Sequence, residues 1–366
     1  VIEAMVVMDM ERERLKLSQD RDMEAMVMED LMEVIVDTEA MEVMVMERER
    51  LRLSQDMDME VMDMEVMVMD MVKVMAMAMD MATEDTQMKK TLNILKKMKV
   101  STRVPRVIAE IGCNHMGDFD LAKKMITKAS DCGAYAVKFQ KRCVEEKIND
   151  EIYLNPHPNK MHSFGSTYYE HRKFLEFDIN QHKELKKFAR TKSIEYSCSV
   201  WDVTSANEII SLNPKFIKVP SACNNNLKLL EKLILNFSGD IHVSLGMTNK
   251  QEENVLIETF KKYNSLKRLV LYCCTSSYPC KFEDVSLLEI IRIKEKYEEH
   301  IKDIGFSGHH LGIAVDIASY ALGANWIERH FTLDRTFKGT DHIASLEPTG
   351  LRKLCRDLHA LSLIHI

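Results

Sequence analysis

The first 87 residues contain no glycine, proline, cysteine, histidine, asparagine or aromatic residue, yet they hold 21 of the chain's 27 methionines. Their 24 acidic and 8 basic side chains give a net charge of −16. ERERLKLSQD at 11–20 recurs as ERERLRLSQD at 47–56, a period of 36 residues, but two copies are too few to stack as a solenoid. We predict that residues 1–87 are a low-complexity segment, disordered or loosely helical, and that they contribute nothing to the fold of the rest.

The acidic segment masks the net positive charge of the rest of the chain. The whole chain has a formal net charge of −7, whereas residues 88–366 carry 42 basic and 33 acidic side chains, a net of +9. Such a balance suits either an anionic small molecule or nucleic acid. Because no basic cluster is interleaved with aromatic side chains, we predict a small-molecule substrate and no nucleic-acid partner.

Membrane and redox signals are also missing. No apolar run approaches the roughly 18 residues that a membrane span needs, so no membrane association is predicted. The nine cysteines all lie beyond residue 112, their number is odd, and neither a CxxC pair nor a signal peptide accompanies them. Reduced thiols and a cytoplasmic location are the expectation.

Beyond residue 104, short β-branched or aromatic runs alternate with amphipathic stretches of helical period. No GxGxxG follows any of these runs, which argues against the rival open dinucleotide-binding sheet. Eight strands alternating with helices over about 250 residues predict a (β/α)₈ TIM barrel at 104–360. Residues 88–103 would be a lead-in, and 361–366 an artefactual end. The predicted strands are 107–114, 136–141, 195–202, 216–221, 241–247, 269–276, 303–310 and 325–332.

One interval departs from this alternation of strands and helices. Residues 142–180 separate the second strand from its helix, with a PHP sequence at 156–158 and aromatic residues from 164 to 169. A loop of that length in a compact domain is usually a functional lid, and we predict one here.

Polar side chains gather at the carboxyl ends of the predicted strands. Barrel enzymes hold their ligands at that rim. Lysines combined with hydroxyls bind phosphate and carboxylate groups. Any one of these residues alone would be an ordinary solvated rim residue, so the prediction of an anion site depends on their coincidence. They are Glu110, Lys138, Gln140, Ser199, Lys218, Ser221, Ser244 and Ser276.

The last two strands each end in a histidine. Because a helix at 314–323 joins these strands, they should be parallel neighbours, with His309 and His330 side by side. Together with Asp341 they form a candidate divalent metal site with open positions. The alternative is that both are structural histidines. His115 is the nearest rival ligand, whereas His310 should point the opposite way because it directly follows His309.

Six motifs carry a specific resemblance across about 104–360. AEIGCNHMG (109–117), VKFQ (137–140), FIKVPS (216–221), SLGM (244–247), GFSGH (305–309) and ERHFT (328–332) resemble, in the same order, those of the N-acylneuraminate (sialic acid) synthase family. The resemblance implies an N-acetylneuraminate synthase-like transferase that condenses phosphoenolpyruvate with an N-acylated amino sugar, typically N-acetylmannosamine, to a nonulosonic acid and phosphate. It also implies a divalent metal on His309 and His330, with Mn²⁺ expected and Mg²⁺ or Co²⁺ as alternatives.

The resemblance also assigns roles by position. Glu110 and Asp341 would be catalytic, acting at the sugar and in proton transfer, while Gln140 and Tyr278 would line the sugar and Ser276 would be a further substrate-binding residue. Ser199, Pro220 and Ser276 stand where Thr, Gly and Asn are common, which leaves the sugar preference open. Phosphoenolpyruvate would be bound by Lys138, Ser199, Lys218, Ser221, Ser244 and Ser307.

Several alternatives stay open. The barrel could be another phosphoenolpyruvate-condensing enzyme, such as an octulosonate-phosphate synthase, a Schiff-base aldolase using Lys138 or Lys218, or an inactive truncated barrel. The sugar could belong to the sialic, legionaminic or pseudaminic series, because the long loop would read its substituents. Full-length members of the family have a C-terminal antifreeze-like domain that a partner subunit donates. We expect no such domain in this sequence, so a homodimer is expected only if the full-length protein has that domain.

Overall fold

The computed structural model describes residues 104–147 and 151–363, which form a closed barrel of eight parallel strands. Each strand pairs with the next in the chain, and β8 closes the barrel against β1, with Glu110 opposite His330. The predicted (β/α)₈ barrel is therefore confirmed. The strands are β1 Arg106–Gly112, β2 Ala136–Lys141, β3 Glu195–Val200, β4 Phe216–Val219, β5 Asp240–Ser244, β6 Leu269–Cys274, β7 Asp303–Gly308 and β8 Trp326–His330.

Helices follow the strands and surround them, several starting at the capping residues that the sequence provides. Asp178 and Gln181 form a capping box at α4, and Asn249 and Glu252 form another at α7. The helices in the described residues are α1 Phe119–Asp131, α2 Glu151–Leu154, α3 Tyr168–Leu175, α4 Ile179–Thr191, α5 Val203–Leu212, α6 Leu227–Asn236, α7 Lys250–Lys262, α8 Leu288–Tyr297, α9 Ala314–Ala321 and α10 Pro348–Leu363.

The apolar core has two parts. The larger lies between the strands and the surrounding helices, and it explains why the strands are apolar along most of their length. The smaller fills the lower barrel interior and consists of Ile108, Ala136, Phe216, Val270, Tyr272 and Trp326. Above it, the Tyr272 ring lies 4.3 Å from the Lys218 ammonium, so the apolar layer gives way directly to charged residues.

The insertion between β2 and α4 is not a plain loop. It contains α2, α3 and short 3₁₀ turns at Val144–Lys147 and Lys160–His162. Its rings pack against each other: the Phe164 and Phe174 rings stack with centroids 5.1 Å apart, and the His157 and His171 rings are tilted with centroids 4.4 Å apart. At Gly117, where φ is +74°, a Cβ would collide with the Phe174 carbonyl, so the β1–α1 loop and α3 are packed closely.

Three sequence expectations concern features outside the barrel. The predicted segments 1–87 and 88–103 lie outside the described residues, and residues 361–363 of the predicted end segment complete α10. No helix within 104–147 and 151–363 is long and apolar enough to span a bilayer. In the same residues no disulfide bond forms.

Candidate active site

Six strands contribute side chains to one buried polar network at the carboxyl end of the barrel. Lys138 is paired with Glu110, and its ammonium also lies 2.6 Å from Ser199 Oγ and 3.6 Å from Glu328 Oε1. Lys218 donates to the same Glu328 oxygen at 2.6 Å, and Ser307 donates to it at 3.2 Å. The two lysines are therefore held side by side by a carboxylate between them.

The electrostatics of this network differ between the two lysines. Burial opposes the charge of Lys138, but Glu110 and Glu328 more than offset it, so the pKa of Lys138 is raised. For Lys218, burial prevails over the attraction of Glu328, and its pKa is lowered. Burial also opposes the charge of Glu328, yet the two lysines hold the pKa of this carboxyl below its usual range. The site thus holds two ammonium groups that can bind an anion. Of the two, Lys218 gives up its proton at the lower pH.

Three predicted hydroxyls lie at or just beyond the carboxyl ends of β4, β5 and β6. Ser244 is buried at the end of β5. Ser221 and Ser276 converge on Gly246, where an added Cβ would collide with both hydroxyl oxygens. Any residue other than glycine at this position would fill the space between the two hydroxyls. Glycine leaves that space open to a ligand that approaches the backbone.

His309 and His330 lie next to each other, as their strand positions predict. Their ring centroids are 5.5 Å apart, and the Tyr278 ring lies 4.0 Å from that of His309. His309 Nδ1 is 2.8 Å from the Thr275 carbonyl oxygen. A carbonyl oxygen only accepts, so Nδ1 carries the proton and Nε2 keeps its lone pair. Burial lowers the pKa of His309 to about 3, with a further contribution from His330, so the imidazole is neutral near pH 7.

The residues fit a metal ion in part. A carbonyl-bound Nδ1 on His309 is the usual support of a metal-binding imidazole. His330 Nδ1 is buried without a hydrogen-bond partner and lies 3.9 Å from Asp341 Oδ2. A ring separation of 5.5 Å allows both imidazoles to reach one ion at about 2.0–2.1 Å from each nitrogen. No group of three or more His, Cys, Asp or Glu donors suited to a metal occurs among the described residues, so further ligands would be water or substrate.

A cavity of about 180 Å³ opens beside the histidines. His330, Tyr278, Gln140 and Asp341 line it, and so does Arg172 of the insertion helix α3. Burial would raise the pKa of Asp341, but His330 and Arg172 keep it below its usual range, so the carboxylate facing the cavity is ionised. The cavity is large enough for a small organic molecule next to the histidine pair.

The remaining histidines have other contacts. His115 stacks on Phe177 with centroids 4.1 Å apart, and its Nδ1 accepts from the Gly117 amide at 3.1 Å. His310 Nε2 lies 3.0 Å from Arg329 Nη1, and Arg329 is paired with Asp316. His310 is therefore part of a buried ion pair outside the barrel interior.

Sequence reasoning missed three residues of this site. Glu328 is two positions before His330 on β8, and that spacing places both on the inner face of the barrel. Arg142 follows β2 directly and stacks on Trp201 at 3.7 Å, while Arg172 comes from α3. The strand period could have identified Glu328, whereas no sequence pattern indicates the two arginines.

Comparisons with known proteins identify relatives of this chain. A NeuB family profile matches residues 125–365. The N-acetylneuraminate-9-phosphate synthase of Homo sapiens is 41% identical over 254 residues, 69% of this chain and 68% of that protein. The N,N'-diacetyllegionaminic acid synthase of Campylobacter jejuni is 36% identical over 257 residues, 70% of this chain and 75% of that protein.

A solved structure is similar as well. The N-acetylneuraminic acid (sialic acid) synthetase of Leptospira borgpetersenii, crystallised with citrate, superposes with a TM-score of 0.63 at 30% identity, over 72% of this chain and 85% of that one. The predicted resemblance and the prediction of a synthase-type enzyme are thus confirmed. By its sequence motifs, its barrel and these matches, the chain belongs to the NeuB family.

Proposed function

We propose that the barrel condenses phosphoenolpyruvate with an N-acylated amino sugar to give a nonulosonic acid and phosphate, with a divalent metal at His309 and His330. The observation that carries the proposal is the buried pair of ammonium groups, Lys138 and Lys218, beside the imidazoles of His309 and His330 and the cavity that opens next to them. The names of the relatives support the reaction class.

The lysines bind the trianionic substrate. Phosphate and carboxylate groups compete with Glu110 and Glu328 for the ammonium protons, while Ser199 and Ser307 supply hydroxyls next to each lysine. The serines over Gly246 add donors on the same side. Holding both reactants in one pocket in a reactive orientation can contribute roughly 7–11 kcal/mol to the barrier reduction.

The sugar occupies the cavity with its aldehyde towards the histidines. Gln140 is held by Glu110, to which it donates at 3.0 Å, and Tyr278 covers His309. When bound, the metal would supply Lewis-acid polarisation of the aldehyde oxygen, and Mn²⁺ is the ion we expect.

The bond changes balance as follows. C3 of phosphoenolpyruvate attacks the aldehyde carbon, whose oxygen takes up a proton, and positive charge develops at C2. Water adds to C2 and passes one proton to a base. The C2–O bond to phosphate then breaks, the C2 hydroxyl becomes the keto group, and its proton leaves with the phosphate. Asp341 is the base for the water proton, because it is ionised and faces the cavity. Glu110 serves by fixing Lys138 and Gln140.

The test is phosphate release from phosphoenolpyruvate with a panel of N-acylated hexosamines, with and without chelator and Mn²⁺. Release that requires both sugar and metal supports the proposal. A Schiff-base aldolase on Lys138 or Lys218 would survive chelation and be trapped by borohydride. An inactive barrel would bind phosphoenolpyruvate without turnover.

The two relatives leave one question open. The human enzyme is named for a product with a phosphate on its ninth carbon, and the Campylobacter enzyme for a product without one. The ninth carbon of such an acid comes from the sixth carbon of the sugar, so the two names differ in what the far end of the sugar carries.

A further inference from the structure

A second cationic cluster lies apart from the lysine pair. Arg142, at the end of β2, and Arg172, on α3, both line the cavity that His330 and Tyr278 also line. The lysine–glutamate network accounts for phosphoenolpyruvate, so the two arginines are left without a role in the proposed reaction.

Arg172 has only neutral partners in direct contact. Its Nε and Nη2 lie 2.9 and 2.7 Å from the Tyr168 hydroxyl, and Nη1 lies 3.7 Å from Cys113 Sγ. Within the part of the chain that the structure describes, no carboxylate oxygen comes within ion-pairing distance of this guanidinium. A guanidinium stays charged at all relevant pH values. Asp341 attracts this guanidinium from beyond ion-pairing distance, so Arg172 keeps hydrogen-bonding capacity for an anionic ligand in the cavity.

Arg142 lies close to Arg172, and neighbouring side chains hold its guanidinium in place. Its Nη1 lies 3.4 Å from Glu176 Oε1, its Nη2 donates to Gln140 Oε1 at 2.7 Å, and its guanidinium lies 3.7 Å from the Trp201 ring centroid. Its Nη1 is also 3.9 Å from the same Cys113 sulfur that Arg172 approaches. The two guanidinium groups thus converge on one point of the cavity wall.

A neutral donor completes the cluster. His171 lines the same cavity, and its Nδ1 accepts the Phe164 amide proton at 3.1 Å, which places the ring proton on Nε2. Burial lowers the pKa of His171 to about 3, so it donates as a neutral imidazole. Two guanidiniums with a neighbouring N–H donor make a set suited to a phosphate monoester.

We propose that the amino sugar substrate carries a phosphate on the carbon farthest from its aldehyde, and that Arg172 and Arg142 bind it. This inference rests on the proposed function, which sets the aldehyde at His330 and Tyr278 and so directs the other end of the sugar towards the arginines. That phosphate takes no part in bond making and stays on the product, whereas the phosphate released comes from phosphoenolpyruvate.

Steady-state kinetics test the proposal. N-acetylmannosamine 6-phosphate and N-acetylmannosamine are compared in the wild-type chain, Arg172→Gln, Arg172→Lys and Lys173→Gln. Lys173 is the control, because it is the next residue on α3, is exposed, and loses the same charge. We expect the wild type to prefer the phosphorylated sugar, and Arg172→Gln to raise its KM about tenfold to a hundredfold. In Arg172→Gln the KM values for phosphoenolpyruvate and for the free sugar should not change. The KM of Arg172→Lys for the phosphorylated sugar should lie between those of the wild type and Arg172→Gln. Lys173→Gln should match the wild type.

Three results would overturn it: equal use of both sugars by the wild type, an unchanged KM in Arg172→Gln, or a raised KM for phosphoenolpyruvate in that variant. Calorimetric titration with each sugar gives a second readout that needs no turnover. If no sugar supports phosphate release but the phosphorylated sugar binds through Arg172, the proposed function fails and the subsite stands. If the free sugar is used as well as the phosphorylated one, the function stands and the subsite fails.

Discussion

Lys218 Nζ lies 2.6 Å from Glu328 Oε1 inside the barrel, and both side chains are almost fully buried. Lys138 approaches the same oxygen at 3.6 Å. One carboxylate therefore offsets the repulsion between two ammonium groups that the substrate must later meet. Removing the charge of Glu328 should therefore change the ionisation of Lys218 while the shape of the site is retained.

Glu328→Gln keeps the shape and removes the charge. The pKa of Lys218 is already lowered by burial, and Glu328 counteracts that shift. Without the carboxylate the pKa should fall further, so Lys218 loses its proton at lower pH and binds phosphoenolpyruvate less well. We expect the alkaline limb of kcat/KM for phosphoenolpyruvate to move towards neutrality by about one pH unit or more.

A matched control exists for that experiment. Glu253 is also a buried carboxylate in an ion pair, with Arg292 at 2.6 Å, but it lies on α7 outside the barrel interior. Glu253→Gln should leave the alkaline limb in place. An unmoved limb in Glu328→Gln would mean that Glu328 does not set the charge of Lys218.

Lys218→Ala tests the anion site itself. The loss of one charge-assisted contact should raise the KM for phosphoenolpyruvate about tenfold to a hundredfold and leave bound metal unchanged. Lys302→Ala is the control, because Lys302 pairs with Asp240 at 2.8 Å on the exposed amino-terminal side of the barrel. A wild-type KM in Lys218→Ala would show that β4 does not face the substrate.

The strand period explains why much of this site could be predicted. Alternate residues of a strand face the same side, so Lys138 with Gln140 and Lys218 with Phe216 point into the barrel. The barrel follows from the number of alternating elements. Glu328 obeys the same rule, but its role depends on which lysines it touches across the barrel, and strand spacing does not encode that.

The insertion shows the limit of sequence reasoning. Its length predicts a lid, but the position of Arg172 depends on how α3 packs, for example through the Tyr168 ring stacked on His157. Such stacking leaves no periodic signal in the sequence. Arg172, whose placement depends on this irregular packing, was therefore missed.

Acid should destabilise the barrel through its buried histidines. Burial lowers the pKa of both His115 and His182 to about 3, whereas an unfolded chain has histidines with ordinary pKa values near 6.5. Between pH 6.5 and 3 the unfolded state binds more protons than the folded state, so the free energy of unfolding falls as pH falls.

His182→Gln measures one part of that effect. His182 Nδ1 lies 2.6 Å from the Tyr196 hydroxyl in the core. Urea unfolding at pH 7 and pH 5 should show a smaller difference between the two pH values in this variant than in the wild type, by about 2 kcal/mol. The exposed His359, replaced in the same way, should leave the difference unchanged. An identical pH dependence in His182→Gln and the wild type would contradict the assignment.

Metal binding is the prediction on which the proposed reaction most depends. His309→Ala and His330→Ala should each abolish stoichiometric Mn²⁺ binding in equilibrium dialysis, because each removes one of only two protein donors. His310→Ala should keep the ion, because His310 is engaged by Arg329 and Asp316 instead. With two imidazole ligands the ion should be removable by chelator, phosphate release should stop, and added Mn²⁺ should restore it. Circular dichroism of all three variants separates lost ligation from lost folding. Full activity of His309→Ala or His330→Ala in chelator would rule out the metal-dependent mechanism and favour a lysine Schiff base, which borohydride trapping would then reveal.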